Sequence, residues 1–433
     1  MAVSMQSRDQ TAQDLSGTPA GIFRQGIRAI DRTREANLLW SIVVIALVSR
    51  LLFYAIVFEG LKDGYDWLSD DNYDEIAINV IQGNGYVVHP GEEPNTLRAP
   101  LYPFYLILHF LIFGQGRFYL VLMQSLFQAG ACLILYAMVR RYIGDRRVSF
   151  LSALALALYP QSMLYSSIAA TESLYLLLMM VAVAVFLGLT ADKPRGSYMA
   201  MGILLALLAL CKPISQLMIV PVVLVILYRF HREKRGASMG IARMALVFCA
   251  VLSPWTVRNY RVTGDFIPVA TQGGHFFYNT TAGSLGDEKE ALRTMREEGI
   301  QSAGEVEAKW LDLAVTNLVE HPGRFIRNTL EKTIAFWYRG HSRSVSLFNA
   351  VVNFPLLILG FIGMRTAVKR GVFILPPLAI IIYFNGLYGL MHALARYAFP
   401  IIPLVMIFGM IGLLEWSGEK VDLCPQSEGN PWE

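Results

Sequence analysis

Carboxylates are concentrated in one stretch of the chain, residues 59–103, which contains nine Asp or Glu and two Lys or Arg. Within it, Asp70 and Asp71 stand just before an amphipathic run that follows Tyr73. One of these carboxylates, or the hydroxyl of Ser69, could act only as a cap that accepts hydrogen bonds from free amides of the next helix. A carboxylate just outside an apolar bundle can also act as a general base toward a hydroxyl group. We therefore take Asp70, with Asp71 as second choice, as candidate catalytic residues.

The rest of the chain is apolar enough to be a membrane protein. It has 433 residues, of which 55% are hydrophobic and only 16% charged, and its mean hydropathy is +0.44. A soluble domain has about 25% charged residues. Apolar runs near 20 residues recur along the sequence, which predicts an all-α polytopic membrane protein. The net charge of +4 is too small to indicate a nucleic-acid partner. No cysteine has metal-type spacing, so neither a metal nor a cofactor is expected.

The first span is predicted at residues 37–58 and is retained, because the apolar run lacks a small-residue cleavage site. Residues 101–113 form a run of 13 apolar residues, which reaches roughly 20 Å at 1.5 Å per residue. That is short of the hydrocarbon core of about 30 Å, so this run is expected to lie at the outer membrane surface as a juxtamembrane helix. The other spans are predicted at 117–139, 148–166, 172–190, 197–211, 213–229, 239–255, 345–364, 372–388 and 396–414.

Basic residues in short loops indicate the orientation, because such loops are enriched in Lys and Arg on the cytoplasmic side. They form four groups: Arg140, Arg141, Arg146 and Arg147; Lys193 and Arg195; Arg229, Arg232, Lys234 and Arg235; and Arg365, Lys369 and Arg370. All four groups are cytoplasmic only if 101–113 does not cross the membrane. This predicts ten spans with both termini inside.

The corresponding domain organisation has three parts. Residues 1–36 are a cytoplasmic N-terminal segment, residues 37–415 a transmembrane domain, and residues 416–433 a cytoplasmic tail. The transmembrane domain includes a first external loop at 59–116 with juxtamembrane helices, and a long external loop at 256–344.

Ionisable residues within or beside the spans lie mostly toward the predicted outer side. They are Arg50, Glu172, Lys212, Arg258, His392 and Arg396. Each could be explained singly, by an ion pair, a snorkelling side chain or a helix-terminal charge, but ionisable groups in spans by default suggest function. Together with Asp70 and Asp71 they combine a base, several cations and an apolar surround. This suits a transfer in which a carboxylate deprotonates an acceptor hydroxyl while a lipid-linked phosphate leaves, stabilised by Lys or Arg.

Six segments carry a resemblance to a known family, and it spans about residues 37–415. The sequence resembles the bacterial relatives of dolichyl-phosphate-mannose protein mannosyltransferases and of the aminoarabinose transferases that modify lipid A, which are GT-C glycosyltransferases. The segments are SDDNYDEIAINVIQGNGY, RAPLYPFYLIL, YPQSMLYSSIAATESL, CKP, PWTVRNYRVTGDFIPVATQGG and HALARYAFPIIP. The resemblance implies a GT-C fold of about ten transmembrane helices plus juxtamembrane helices.

The resemblance also implies a function. The enzyme would move a hexose or pentose from a polyprenyl-phosphate-linked donor to an acceptor hydroxyl at the outer face of the bacterial inner membrane, with inversion and without a cofactor. The family's catalytic acid, in an acidic pair ahead of a Tyr, maps to Asp70, with Asp71 second. The residues that would bind the donor phosphate are Lys212, Arg258 and Arg50, and the other pocket candidates are Glu172, Arg98, Tyr73, His392 and Arg396. The acceptor, whether protein, lipid A, polysaccharide or another lipid carrier, stays open.

Three alternatives remain at the level of sequence. A transporter or flippase of lipid-linked glycans would favour repeated halves and ionisable groups near the membrane midplane, of which only Arg50 is a candidate. A glycan polymerase or ligase would also act on lipid-linked sugars, but would more typically use long outer loops rich in Arg and His. The third alternative is a homologue that has lost its activity.

Overall fold

The computed structural model describes residues 19–58, 71–189, 195–231, 234–282, 285–300 and 302–423, and within these ranges the chain contains helices and no β-strand. The helices of the first half are α1 (Pro19–Arg32), α2 (Glu35–Phe53), α3 (Tyr73–Ile81), α4 (Leu101–Phe113), α5 (Arg117–Tyr142), α6 (Arg146–Ala157), α7 (Pro160–Ser166), α8 (Glu172–Gly188) and α9 (Arg195–Cys211). Those of the second half are α10 (Ile219–Arg229), α11 (Lys234–Thr263), α12 (Gly273–Thr281), α13 (Leu285–Glu297), α14 (Ala303–Glu320), α15 (Pro322–Ala335), α16 (Arg343–Lys369), α17 (Leu375–Leu390), α18 (Ala395–Ala398) and α19 (Ile402–Trp416).

Every predicted span coincides with an apolar helix or helix pair. Within the described ranges, five segments are long and apolar enough to cross a membrane: Glu35–Val57, Arg117–Tyr142, Ala237–Thr263, Arg343–Lys369 and Ala395–Trp416. Helices α6 and α7 together form one more such segment, bent by 50°. The remaining predicted spans correspond to shorter apolar helices, and α4 is the run that was predicted not to cross. The fold class, an all-α polytopic membrane protein, is confirmed, whereas the count of ten crossings and their sidedness stay predictions.

Arg50 of α2 stabilises the bend between α6 and α7. Its side chain is completely buried, and its guanidinium donates hydrogen bonds to the carbonyl oxygen of Ala157 at 3.0 Å and to Ser162 Oγ at 2.7 Å. It also donates to Gln128 Oε1 at 3.1 Å. The last carbonyl groups of a helix have no partner within that helix, and a cation there is favourable for the helix dipole. Arg50 thus holds a broken helix together inside the bundle.

Glycines allow α16 and α19 to pack at backbone contact. A Cβ added at Gly363 of α16 would collide with the carbonyl oxygen of Phe408, and one at Gly412 of α19 would collide with that of Leu359. Small residues that let helix backbones approach are a common way to pack membrane helices, since lipid offers no hydrophobic driving force between them. This interface fixes α19, and with it the segment just before α19.

The segment predicted as the long external loop is a helical layer with its own small core. Tyr278 of α12, Met295 of α13 and Trp310 of α14 are buried together, and a capping box formed by Ser302 and Glu305 starts α14.

The loop begins later than predicted, because α11 continues through Pro254 to Thr263. A proline removes one helical hydrogen bond without necessarily ending the helix in a membrane protein.

Candidate active site

A cavity of about 360 Å³ lies where the bundle meets the external helical layer. Its walls come from the first external loop, from the residues that follow α9, from α12 and α14, and from the turn between α17 and α18. The lining residues are Asp71, Tyr73, Arg98, Thr171, Lys212, Pro213, Ile214, Gln216, Leu217, Ala270, Gln272, Gly273, Phe276, Glu307, Leu387, Tyr388, Met391, His392, Arg396 and Tyr397.

Asp71 contributes its carboxylate to this cavity and bonds to cations. Asp71 Oδ2 lies 2.5 Å from Nη2 of Arg396, and Oδ1 lies 3.5 Å from Nη1 of Arg98. The next residue, Asn72, has a φ of 54°, a left-handed conformation that Asn tolerates better than most residues. The carboxylate of Asp71 is therefore bound by guanidinium groups of the cavity wall, an arrangement different from helix capping. Asp70, the first choice for the base, lies outside the described residues.

Glu172 holds Lys212 and also Arg396, which it shares with Asp71. It is the first residue of α8 and is fully buried, and its Oε1 lies 2.9 Å from Nζ of Lys212 and 2.5 Å from Nε of Arg396. Lys212 is placed by Pro213, which begins a 3₁₀ turn directly after α9. Arg396 is placed by α18, at the start of the segment that α19 continues. One buried carboxylate thus fixes two cations that face the cavity.

Arg98 reaches the cavity from the segment that precedes α4. Its guanidinium carbon lies 5.6 Å from the ring centre of Tyr73, which also lines the cavity. The segment is held from behind by Thr96, whose carbonyl accepts the amide of Thr271 at 3.1 Å. Burial raises the pKa of Tyr73 well above its ordinary value. Its phenol is therefore neutral and can only donate or accept a hydrogen bond.

Arg258 and Arg50, both predicted to bind the donor phosphate, are not among the lining residues. The guanidinium of Arg258 lies over the rings of Trp255 and Tyr86, 4.7 Å and 5.1 Å from their centres. It donates to the carbonyl oxygen of Asn95 at 2.9 Å. Cation–π and hydrogen-bond contacts of this kind make Arg258 a support for the segment that carries Arg98. Arg50 lies at the bend between α6 and α7, where its guanidinium donates hydrogen bonds to carbonyl and hydroxyl oxygens of the bundle.

His392 lines the part of the cavity nearest the external layer. Its ring stacks on Phe276 of α12, with centres 5.7 Å apart and planes at 20°. Burial, together with the nearby cations Lys332 and Arg339, lowers the pKa of His392 to about 4. The imidazole is therefore neutral near pH 7 and offers one donor and one acceptor to a bound molecule.

An apolar wall stands beside the cations. It is formed by Pro213, Ile214, Leu217 and Leu387. Leu217 is 55% exposed, so apolar surface is available beside the cations of the cavity. A ligand with a charged head and a hydrocarbon tail matches this division.

Some lining residues were missed by the sequence analysis. Tyr397 stacks on Tyr388, with ring centres 4.5 Å apart and planes at 4°. Its position next to Arg396 in the sequence could have identified it as a residue of the site. Glu307 and Phe276 had no such signal, because they belong to amphipathic helices of the external loop. Glu307 Oε1 accepts the backbone amide of Gly274 at 2.6 Å, which fixes the start of α12 at the cavity.

The described residues contain no cluster of three His, Cys, Asp or Glu side chains that could hold a metal ion. A set of fixed charges lies together on the cavity wall: the carboxylate of Asp71 and the cations Arg98, Lys212 and Arg396. Cations held in place before a reaction can stabilise charge that develops on a leaving group, and a carboxylate can accept a proton.

Part of the chain matches a known family. Residues 95–257 match the sequence model of a family described as dolichyl-phosphate-mannose-protein mannosyltransferase. The matched region includes Arg98 and Lys212 of the cavity and the buried Glu172 that bonds to Lys212, and it ends just before Arg258. No protein with a curated description matches the sequence.

The fold is similar to that of solved membrane enzymes. The archaeal oligosaccharyltransferase AglB from Archaeoglobus fulgidus, solved with an inhibitory peptide and a dolichol-phosphate, aligns with a TM-score of 0.55 at 14% identity over 87% of this chain and 50% of that chain. A second structure of the Archaeoglobus fulgidus oligosaccharyltransferase, tethered to an acceptor peptide, gives a TM-score of 0.54 at 14% identity over 87% of this chain and 49% of that chain. ArnT from Cupriavidus metallidurans, bound to undecaprenyl phosphate, gives a TM-score of 0.39 at 14% identity over 87% of this chain and 77% of that chain.

This chain spans about half the length of the oligosaccharyltransferase. The likeness in fold and the match of residues 95–257 confirm the resemblance that was predicted from the sequence. The chain has the GT-C fold, and residues 95–257 match the sequence model of the protein mannosyltransferases.

Proposed function

We propose that the protein is a glycosyltransferase that moves a sugar from a polyprenyl-phosphate-linked donor to an acceptor hydroxyl. The observation that carries this proposal is the cavity wall, where the Asp71 carboxylate and the cations Arg98, Lys212 and Arg396 lie beside an apolar wall. The cations suit the phosphate of the donor, and the apolar wall suits its isoprenoid chain. The GT-C fold supports the same reaction class, although a fold by itself does not establish a function.

Binding of the donor would change the contacts of Asp71. The carboxylate is held by Arg396 and Arg98, and a donor phosphate would compete with it for the same guanidinium groups. Arg and Lys bind phosphate through charge-assisted hydrogen bonds. Occupation by the donor would therefore free a carboxylate next to the sugar.

The reaction would be a single displacement. The acceptor oxygen forms a bond to the anomeric carbon while the bond from that carbon to the phosphate oxygen breaks. The acceptor proton passes to a carboxylate of the Asp70–Asp71 pair, and polyprenyl phosphate leaves with the bonding electrons, its charge stabilised by the fixed cations. One base without a covalent intermediate gives inversion at the anomeric carbon. Asp70 remains our first choice for the base, with Asp71 as second choice.

We propose that this site faces the periplasm or cell exterior from a bacterial inner membrane, as the distribution of basic loops predicts. The acceptor would then be a protein, lipid A, a polysaccharide or another lipid carrier. The open part of the cavity near His392 and Phe276 offers a stacking surface and neutral hydrogen-bonding groups, which suit the sugar or the acceptor.

The test is a transfer assay with the full chain in lipid nanodiscs. Purified protein is incubated with polyprenyl phosphates that carry labelled hexoses or pentoses, and released polyprenyl phosphate is measured. Lys212→Gln should weaken donor use by roughly 10- to 100-fold, since a hydrogen bond to a charged group contributes about 1.5–3 kcal/mol. Lys289→Gln, at an exposed position of α13, is the matched control. If the panel of donors gives no release, or if both variants behave alike, the proposal is wrong.

A further inference from the structure

Helix α15 (Pro322–Ala335) presents apolar side chains outward and polar side chains inward. Ile326, Leu330 and Ile334 are 58%, 61% and 58% exposed. They recur every four residues and form one stripe along the helix. On the opposite side, Asn328 donates to the carbonyl oxygen of Thr280 at 2.9 Å. A helix with this arrangement would be poorly placed in water, where exposed polar residues are expected.

The position of α15 along the bundle shows which solvent surrounds this stripe. Its second half packs against the last turns of α17, where Asn385 Nδ2 donates to the carbonyl oxygen of Thr333 at 3.3 Å. The rings of Phe336 and Tyr388 lie 5.6 Å apart. Asn385 stands five residues before the end of α17 at Leu390, which places this contact about 7.5 Å below the helix end at 1.5 Å per residue.

If α17 ends at the membrane surface, as its predicted span implies, that depth agrees with an interfacial helix, whose apolar face is buried about 5–10 Å into the boundary between headgroups and acyl chains. Along the chain, the stripe is followed by the apolar helix of a predicted span. Residues 336–342 connect α15 to α16, where Leu347 and Val351 are well exposed. Trp337 and Tyr338 stand in this connection, and both residue types are enriched at membrane interfaces. A short connection thus joins α15 to a helix whose exposed apolar side chains are expected to meet lipid.

Charged residues mark the other edge of the stripe. Arg327 and Glu331 are both exposed and follow Ile326 and Leu330 by one residue each, which is a rotation of about 100° around the helix. Helix α15 thus has three faces: an apolar face, a charged face and a polar face that bonds to the protein. Such a division fits a helix that lies in the plane of the interface with its charged face toward the headgroups.

We propose that α15 is embedded in the lipid leaflet on the cavity's side of the membrane and connects the cavity to the bilayer. Its inner face carries Lys332, whose Nζ donates to Thr280 Oγ1 at 2.6 Å and to the carbonyl oxygen of Met391 at 2.7 Å. Thr280 belongs to α12, which supplies Phe276 to the cavity, and Met391 itself lines the cavity. A displacement of α15 in the leaflet would therefore move two walls of the site. The occupant of the stripe is lipid acyl chain, and this assignment does not depend on the proposed reaction.

Spin labelling of the full chain in nanodiscs of phosphatidylethanolamine and phosphatidylglycerol tests the proposal. Cys249 and Cys424 are replaced by Ser, whereas Cys132 and Cys211 are buried and can remain. A nitroxide is attached at Leu330→Cys or, as the matched control one residue along the same helix, at Glu331→Cys. Accessibility to oxygen, which concentrates in lipid, is compared with accessibility to a water-soluble nickel chelate. A label at Ile326→Cys provides a second position on the stripe if Leu330→Cys does not fold.

We expect the labels on the stripe to be relaxed mainly by oxygen and the label at position 331 mainly by the nickel chelate. A label at position 330 that is as accessible to nickel as the label at position 331 would place the stripe in water and overturn the proposal. A label at position 330 that is protected from both reagents would also overturn it, because the stripe would then be covered by a protein partner or a second copy of the chain.

Discussion

Glu172 and Arg396 are 224 residues apart in the sequence, yet Oε1 of the carboxylate lies 2.5 Å from Nε of the guanidinium. The carboxylate is fully buried and also accepts from Lys212. Glu172 therefore holds two cations side by side that would otherwise repel each other. Because these cations face the cavity, one buried acid fixes the positions of two of the three cations on the wall.

Glu172→Gln should destabilise the protein strongly. The amide preserves the shape of the side chain but leaves the two cations without a buried counter-charge, and breaking a buried ion pair typically costs about 3–5 kcal/mol. Thermal unfolding in nanodiscs measures the loss. Glu331→Gln, on the exposed face of α15, should change stability by no more than about 0.5 kcal/mol. Equal melting temperatures for the two variants would contradict the role of Glu172.

Asp70→Asn should lower turnover by about 10²- to 10⁴-fold, the usual contribution of a positioned general base, with donor affinity retained. Asp71→Asn should have a milder effect on turnover, and should alter the KM for the donor because it releases Arg396 and Arg98 from their carboxylate. Steady-state kinetics with the active donor separate the two effects. A larger turnover loss for Asp71→Asn would make Asp71 the base. Unchanged turnover in both variants would leave the pair with no catalytic role.

Arg50→Met should reduce stability while leaving the KM for the donor unchanged. The variant removes donors from carbonyl and side-chain oxygens at the bend between α6 and α7, and each buried polar group left without a partner costs about 1–3 kcal/mol. Melting temperature and donor KM are measured on the same preparation. A raised KM in protein of normal stability would instead support binding of the donor phosphate by Arg50.

Gly363→Ala should disrupt the contact between α16 and α19, because the new methyl group would meet the backbone of Phe408. Overpacking of this kind typically costs about 1–3 kcal/mol, and the loss is again read from thermal unfolding. Gly386→Ala is the control, since Gly386 lies within helix α17 and has open space around it. Its effect should be neutral or slightly stabilising, because Ala is a better helix former than Gly. Similar losses in both variants would contradict the packing role of Gly363, because Gly386 has open space around it.

His392 should make the folded state sensitive to acid. Burial lowers its folded-state pKa to about 4, below the ordinary value of 6.5. Between these values the unfolded chain binds the proton and the folded chain does not, so stability falls as the pH is lowered through this window. For a group that is partly exposed we expect a contribution of about 1–2 kcal/mol.

His392→Gln should remove this contribution, so that the difference in melting temperature between pH 7 and pH 4 becomes smaller than in the unsubstituted protein. His231→Gln, at an exposed position before α11, should leave that difference unchanged. If His392→Gln and the unsubstituted protein lose stability in parallel, His392 is protonated as readily in the folded as in the unfolded chain.

Much of the fold and part of the site could be predicted from the sequence. Apolar runs predicted the helices that coincide with the spans, because a lipid environment requires each segment to satisfy its own backbone hydrogen bonds. The same reasoning identified ionisable residues in or beside a span, where a charged side chain is costly and by default suggests function. Asp71, Lys212, His392 and Arg396 were found in this way, and they line one cavity.

Only the tertiary structure decided what each of these charges does. Arg50 and Lys212 look alike in the sequence, as single cations in or beside an apolar run. In the fold, Arg50 meets the carbonyl groups of a broken helix, whereas Lys212 meets Glu172 at the cavity wall. The sequence also gave no sign that Glu307 and Phe276 reach the site. The physical reason is that hydropathy and charge patterns report the solvent around a segment, while the partner of a buried charge depends on which distant segments pack against it.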